Sequence, residues 1–220
     1  MENNITVKQK WKIALQNKKF KITTVTLIIG FVSLLFFISQ FQNMIEQRQG
    51  VAFIDPLTGN IPVFDMDIIT FIAIYSAHLV AIYFAFKQPE KFIQLLLGYF
   101  FVYFLRIFSQ YLMPLEPPSG LIPMKDPILI WFGNGKIINK DLFYSGHTSA
   151  TFIAFLITDN KRVKIFIFLA LLVVVVGILL QRVHYTVDVY VAFFFAFTSY
   201  RLGIFILHKL GFNNFSNSVK

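Results

Sequence analysis

The 220-residue chain has no cysteine. That excludes disulfides, thiolate metal sites and a cysteine nucleophile, and it fits any redox compartment. Charge is the second shortage: Asp, Glu, Lys and Arg make up only 14% of the residues, against about 25% in a soluble domain. An ordinary water-facing surface is therefore excluded. Acidic residues are the scarcer kind, 11 against 20 basic ones, which leaves a net charge of +9. Nucleic-acid binding would need that charge on a polar folded surface, and the chain offers little of one. Six lysines (Lys8, Lys10, Lys12, Lys18, Lys19 and Lys21) instead precede the first apolar run, where the positive-inside rule places a cytosolic anchor. What fills the chain is apolar: 56% of residues, 28 of them Phe, gathered in long runs. With no internal repeat, low-complexity tract or separating linker, one membrane-embedded domain is expected.

A spanning helix needs about 20 mostly apolar residues. Six segments qualify: about Ile22 to Ser39, Ile68 to Phe86, Phe92 to Met113, Leu142 to Thr158, Ile165 to Leu180, and Tyr185 to Leu207. The first is followed by Gln40-Phe41-Gln42-Asn43 rather than a small-residue cleavage site, so a retained anchor is expected, not a signal peptide. Before it, Val7, Trp11 and Leu15 recur every four residues among lysines. That spacing suits either a short helix lying on an anionic leaflet or a solvated basic tail. Outside the spans and their immediate ends, thirteen basic residues fall on the N-terminal side of the membrane and four on the other. The expected fold is an all-α, six-transmembrane helix bundle with both termini in the cytosol. Residues 1–21 are the basic cytosolic segment, 22–210 the six-span domain and 211–220 a cytosolic tail. Trp11 and Trp131 fit membrane–water boundaries. His78, in mid-span, reads as a packing or hydrogen-bonding residue, and His208 as interfacial.

The polar residues that carry chemistry sit at the outer ends of spans three to six. The fourth span opens Asp141-Leu-Phe-Tyr-Ser145-Gly146-His147-Thr148. Ser145 and Gly146 at a helix start would leave backbone N–H groups free for a phosphate oxygen, and His147 beside them would exchange a proton near neutral pH. A capped helix start whose histidine faces water would look the same. Four residues separate His184 from Asp188 at the start of the sixth span, so on a helix they share a face. A carboxylate there would hold one imidazole nitrogen and leave the other basic, the histidine–carboxylate half of an activated nucleophile. Arg106, near the outer end of the third span, would bind phosphate bidentately or snorkel to headgroups. Arg182 points away from the His184 face and would meet a headgroup phosphate from the rim.

These residues resemble the type 2 phosphatidic acid phosphatase (PAP2) superfamily, and within it the sphingomyelin synthase-like branch. The superfamily's P-S-G-H block reads Tyr144-Ser145-Gly146-His147 here, and the H-x3-D spacing of its last block is kept by His184 and Asp188. The stretch from Arg106 to Pro118 loosely resembles the branch's arginine-to-proline segment. Two features depart from the superfamily: there is no K-x6-R-P block, and Gly177-Ile178 stand where a Ser-Arg pair is expected. The resemblance implies a membrane lipid phosphotransferase or phosphatase that needs neither metal nor other cofactor. His184, oriented by Asp188, would form a phosphohistidine-type intermediate; His147 would protonate the leaving oxygen and then activate a lipid hydroxyl or water. The donor would be a phospholipid. The site would face the exterior, periplasm or lumen, in the cell or inner membrane if the protein is bacterial. Hydrolysis of a lipid phosphate or polyprenyl diphosphate is the alternative enzymatic reading. A non-enzymatic lipid-binding or transport protein is the alternative of another class. Nothing in the sequence sets an oligomeric state.

Overall fold

A computed structural model of the chain describes residues 5–127 and 137–212. Trp131, with its expected boundary position, lies outside these, as do Lys136, Lys220 and most of the tail. The described residues form seven helices: α1 (Val7–Gln16), α2 (Lys18–Gln47), α3 (Asp67–Phe86), α4 (Pro89–Leu112), α5 (Gly146–Ile157), α6 (Lys161–Leu180) and α7 (Thr186–Lys209).

Local chemistry sets most of the boundaries. Thr6 and Gln9 cap α1 reciprocally, with Thr6 N–H donating to Gln9 Oε1 at 2.8 Å. The Asn17 side chain accepts from Phe20 N–H at the start of α2, and Asn160 accepts from Arg162 and Val163 at the start of α6. Pro89 opens α4, where its missing N–H is not needed.

Among the described residues, five helices (α2, α3, α4, α6 and α7) are long and apolar enough to cross a membrane. The sixth expected span is different. Its helix is α5, which has 12 residues and so rises about 18 Å, short of a hydrocarbon core about 30 Å thick. The apolar residues expected to begin that span, Leu142, Phe143 and Tyr144, precede the helix, with Leu142 and Tyr144 buried in irregular structure.

Burial follows membrane logic. Large apolar side chains such as Phe36, Ile68, Leu112 and Tyr190 face outward, while Thr70, Thr148, Ser149, Thr151 and Ser199 are buried between helices. Small polar residues let helices approach closely and hydrogen-bond inside lipid. Gly177 shows how close: a Cβ there would collide with Thr70 Oγ1, so glycine lets α6 pack against α3 without displacing that hydroxyl. The chain is an integral membrane helical bundle in which α3 lies along α6, α4 along α7, and α5 among α3, α4, α6 and α7.

The loops gather at one end of the bundle. Phe64 N–H donates to Leu180 O at 3.1 Å and Ile122 N–H to Gln181 O at 3.1 Å. Glu116 N–H donates to Val51 O at 3.1 Å, within a parallel β-bridge between Val51 and Leu115. At the opposite end, α1 docks through Trp11. Its indole N–H donates to Phe86 O at 2.7 Å, and its ring stacks on Phe86 with centroids 5.0 Å apart. The segment is helical rather than an extended tail, and Trp11 fastens it to the bundle.

Candidate functional site

Ser145 is the N-cap of α5. Its hydroxyl accepts from Thr148 N–H at 3.3 Å, and the residue is fully buried. Its own N–H is not free for phosphate but donates to Asp188 O at 3.2 Å. That bond joins the two motif blocks directly. The N–H groups of Gly146 and His147 remain as first-turn donors without intrahelical acceptors.

Asp188 sits in the first turn of α7, fully buried. Its Oδ2 accepts from Tyr185 N–H at 3.0 Å and lies 3.3 Å from His184 Nδ1. The pairing does not arise from two residues on one helical face, because His184 precedes the helix. It arises from a cap whose carboxylate reaches back to both Tyr185 and His184. With Nδ1 held, Nε2 carries the available lone pair of the neutral ring. Burial pulls the His184 imidazole below its ordinary value, the nearby Asp188 carboxylate pushes it up, and the fields of Arg106 and His147 lower it; the net is downward. The ring is therefore neutral at pH 7.

His147 has a carboxylate of its own. Nε2 lies 3.2 Å from Asp126 Oδ2, and Tyr75 O–H donates to Asp126 Oδ1 at 2.7 Å. Its Nδ1 is buried with no hydrogen-bond partner among the described residues. Sequence reasoning missed Asp126 and Tyr75. The carboxylate lies 21 residues before its partner, too far along the chain for a short-range spacing to signal the contact.

Arg106 is buried, 4% exposed. Its Nη1 pairs with Asp141 Oδ1 at 2.6 Å, Nη2 donates to Asp141 O at 2.9 Å and Nε to Tyr144 O at 2.7 Å. The Gln110 amide also donates to the Asp141 carboxylate. Burial alone would raise the Asp141 carboxyl, but the Arg106 charge and the hydrogen bonds from Arg106 and Gln110 hold it below the ordinary value. Arg106 is thus already charge-matched and fastened to the segment leading into α5; phosphate would have to share it with Asp141. The guanidinium also lies against Gly146, where a Cβ would stand 3.1 Å from Cζ.

Arg182 has a different task from the one its position suggested. Helix α6 ends in a Schellman turn, with Val183 N–H bonded to Ile178 O and Arg182 N–H to Leu179 O. Arg182 occupies the left-handed position at φ 56°. Its guanidinium donates to Ser119 O at 2.6 Å and to the carbonyls of Thr58, Gly59 and Ile61. It clasps two loops together at this end of the bundle. Asp55 fastens the same region by accepting from the N–H and hydroxyl of Thr186 at the start of α7.

A cavity of about 270 Å³ opens beside these groups, and His147, Arg106, Asp126, Asp141 and Gly146 line it. Ile38 and Gln42 of α2 and Ile74, Tyr75 and His78 of α3 complete much of its wall. His184 is not among the lining residues and is 1% exposed. The structure therefore gathers His147, Gly146 and Arg106 on one cavity and ties the His184–Asp188 pair to them through Ser145. Arg182 stays with the loop carbonyls.

An integral membrane bundle with two histidine–carboxylate pairs near one cavity is equipped for proton exchange beside an anion. Residues 140–203 match a family model described as PAP2 superfamily C-terminal. The match covers Ser145, Gly146, His147, His184 and Asp188 and leaves Arg106 and Asp126 outside it. Comparisons with curated proteins and with solved structures give no match.

Proposed function

We propose that the chain is a lipid phosphotransferase of the sphingomyelin synthase-like kind, working through a phosphohistidine on His184 at the non-cytosolic side of the membrane. The observation that carries the reading is the Ser145 N–H to Asp188 O bond. It fixes the His147 segment against the His184–Asp188 pair beside the cavity that His147 lines.

In the first step, His184 Nε2 forms a bond to phosphorus as the bond from phosphorus to the leaving lipid oxygen breaks. That oxygen takes the proton from Nδ1 of the His147 ring, whose Nε2 is held against Asp126. In the second step, a hydroxyl of lipid or water returns its proton to Nδ1 and its oxygen bonds to phosphorus. The nitrogen–phosphorus bond breaks and its electron pair returns to His184. The N–H groups of Gly146 and His147 face the charge that grows on the phosphoryl oxygens.

The test is the purified protein with phospholipid labelled in its phosphate. Label passing to a second lipid is the expected result. Free phosphate or a free phosphorylated headgroup would make the protein a hydrolase. No turnover with any donor would support a lipid-binding or transport role instead. His184→Ala and His147→Ala should each abolish turnover while leaving folded protein, and Asp188→Asn should leave a trace.

A further inference from the structure

The cavity has a second polar level that the phosphoryl chemistry does not use. Tyr75, Arg106 and His147 mark its ionic level, and three residues further inward along α3, α4 and α5 stand His78, Tyr103 and Ala150, all on the same cavity. Three residues along a helix are about 4.5 Å, the reach of three or four covalent bonds from a phosphorus held at the ionic level, so a hydroxyl bound there is a neighbour of the one that bonds to phosphorus. His78 Nδ1 lies 2.7 Å from Ile74 O. A carbonyl can only accept, so Nδ1 carries the hydrogen and the Nε2 of the neutral ring is an acceptor. The described residues give neither that Nε2 nor the Tyr103 hydroxyl a hydrogen bond. The His78 ring is held in place by stacking on Tyr99, with centroids 5.7 Å apart. Ala150 opposite leaves room, and the nearby wall is apolar, with Leu35, Ile38 and Ile74.

We infer that His78 and Tyr103 form a hydroxyl subsite that selects a lipid alcohol: its O–H donates to His78 Nε2 and its oxygen accepts from the Tyr103 phenol. An acceptor without a donor inside an apolar cavity discriminates against a ligand that lacks one. This inference rests on the proposed lipid chemistry for the identity of the ligand, but not on turnover.

Equilibrium binding of 1-dodecanoylglycerol (the alcohol) and of its 2-O-methyl ether to the detergent-solubilised protein tests it, the hydroxyl bound for phosphorus being free in both. The two lipids differ in one hydrogen-bond donor. Wild type should bind the alcohol about tenfold more tightly, the size of one neutral hydrogen bond. His78→Phe, which keeps the stack on Tyr99, should bring the ratio to within about twofold of one, and the near-isosteric Tyr103→Phe should lower it. Equal binding of the two lipids by wild type, or a full ratio retained by both variants, overturns the subsite. Turnover of labelled phospholipid by the same preparations separates the two claims. Turnover without discrimination overturns the subsite alone; discrimination without turnover upholds the subsite and overturns the enzymatic reading.

Discussion

Asp141→Asn isolates the electrostatics that hold the His147 segment. The variant keeps an oxygen for Arg106 Nη1, and the backbone bonds from Arg106 to Tyr144 O and Asp141 O are untouched. Only the charge is lost, leaving a guanidinium 4% exposed with no carboxylate. Breaking a buried pair costs about 3–5 kcal/mol, and the retained hydrogen bonds place this case near 3 kcal/mol. For a chain of this size that lowers the melting temperature by about 6–12 °C, read by thermal denaturation in detergent. Acid supplies a second reading. The Asp141 carboxyl is held below its ordinary value of 3.8 in the folded protein. Its contribution is therefore complete above about pH 4 and lost as pH falls through the folded value. The stability gap between wild type and Asp141→Asn should narrow under those acid conditions. Adding Arg106→Gln should cost much less in the Asp141→Asn background than in wild type. A variant within about 0.5 kcal/mol of wild type at pH 7 would refute the claim that Asp141 neutralises Arg106.

Gly146→Ala places a methyl 3.1 Å from Arg106 Cζ, and the resulting shift should lower stability by about 1 kcal/mol in the same melt; an unchanged melting temperature would mean the guanidinium has room to move. Arg182→Gly and Arg182→Ala both lose the hydrogen bonds to the loop carbonyls, but only glycine accepts φ 56° freely. Glycine should be the more stable replacement by about 1 kcal/mol in parallel melts, and the reverse order would remove the left-handed strain from the explanation. Because the chain has no native cysteine, Asn139→Cys should label with a membrane-impermeant maleimide from outside intact cells and Asn160→Cys should not; the opposite pattern inverts the proposed orientation.

Five spans were legible because each is a long apolar run bounded by a cap or a charge, as Asn17, Pro89 and Asn160 show. The short α5 was not. Leu142 and Tyr144 are as apolar as any helix residue, and hydropathy does not distinguish burial in an irregular plug from burial in a span. His147, His184 and Asp188 stood out because short spacings carry them. Their supports did not: Asp126 meets His147 across 21 residues, Gln110 meets Asp141 across 31 and Arg106 reaches Asp141 O across 35. A sequence displays an arginine's charge but not what neutralises it. That is why Arg106 and Arg182 were expected at phosphate, whereas the structure gives them to Asp141 and to loop carbonyls.

The identity of the residue that receives phosphorus decides the central claim. Wild-type protein should be mixed with phosphate-labelled phospholipid, quenched in alkali within its first turnovers and mapped by mass spectrometry. The account predicts acid-labile phosphate on His184. Intermediate-free protein, or protein carrying the label on His147, the imidazole that lines the cavity, would contradict it.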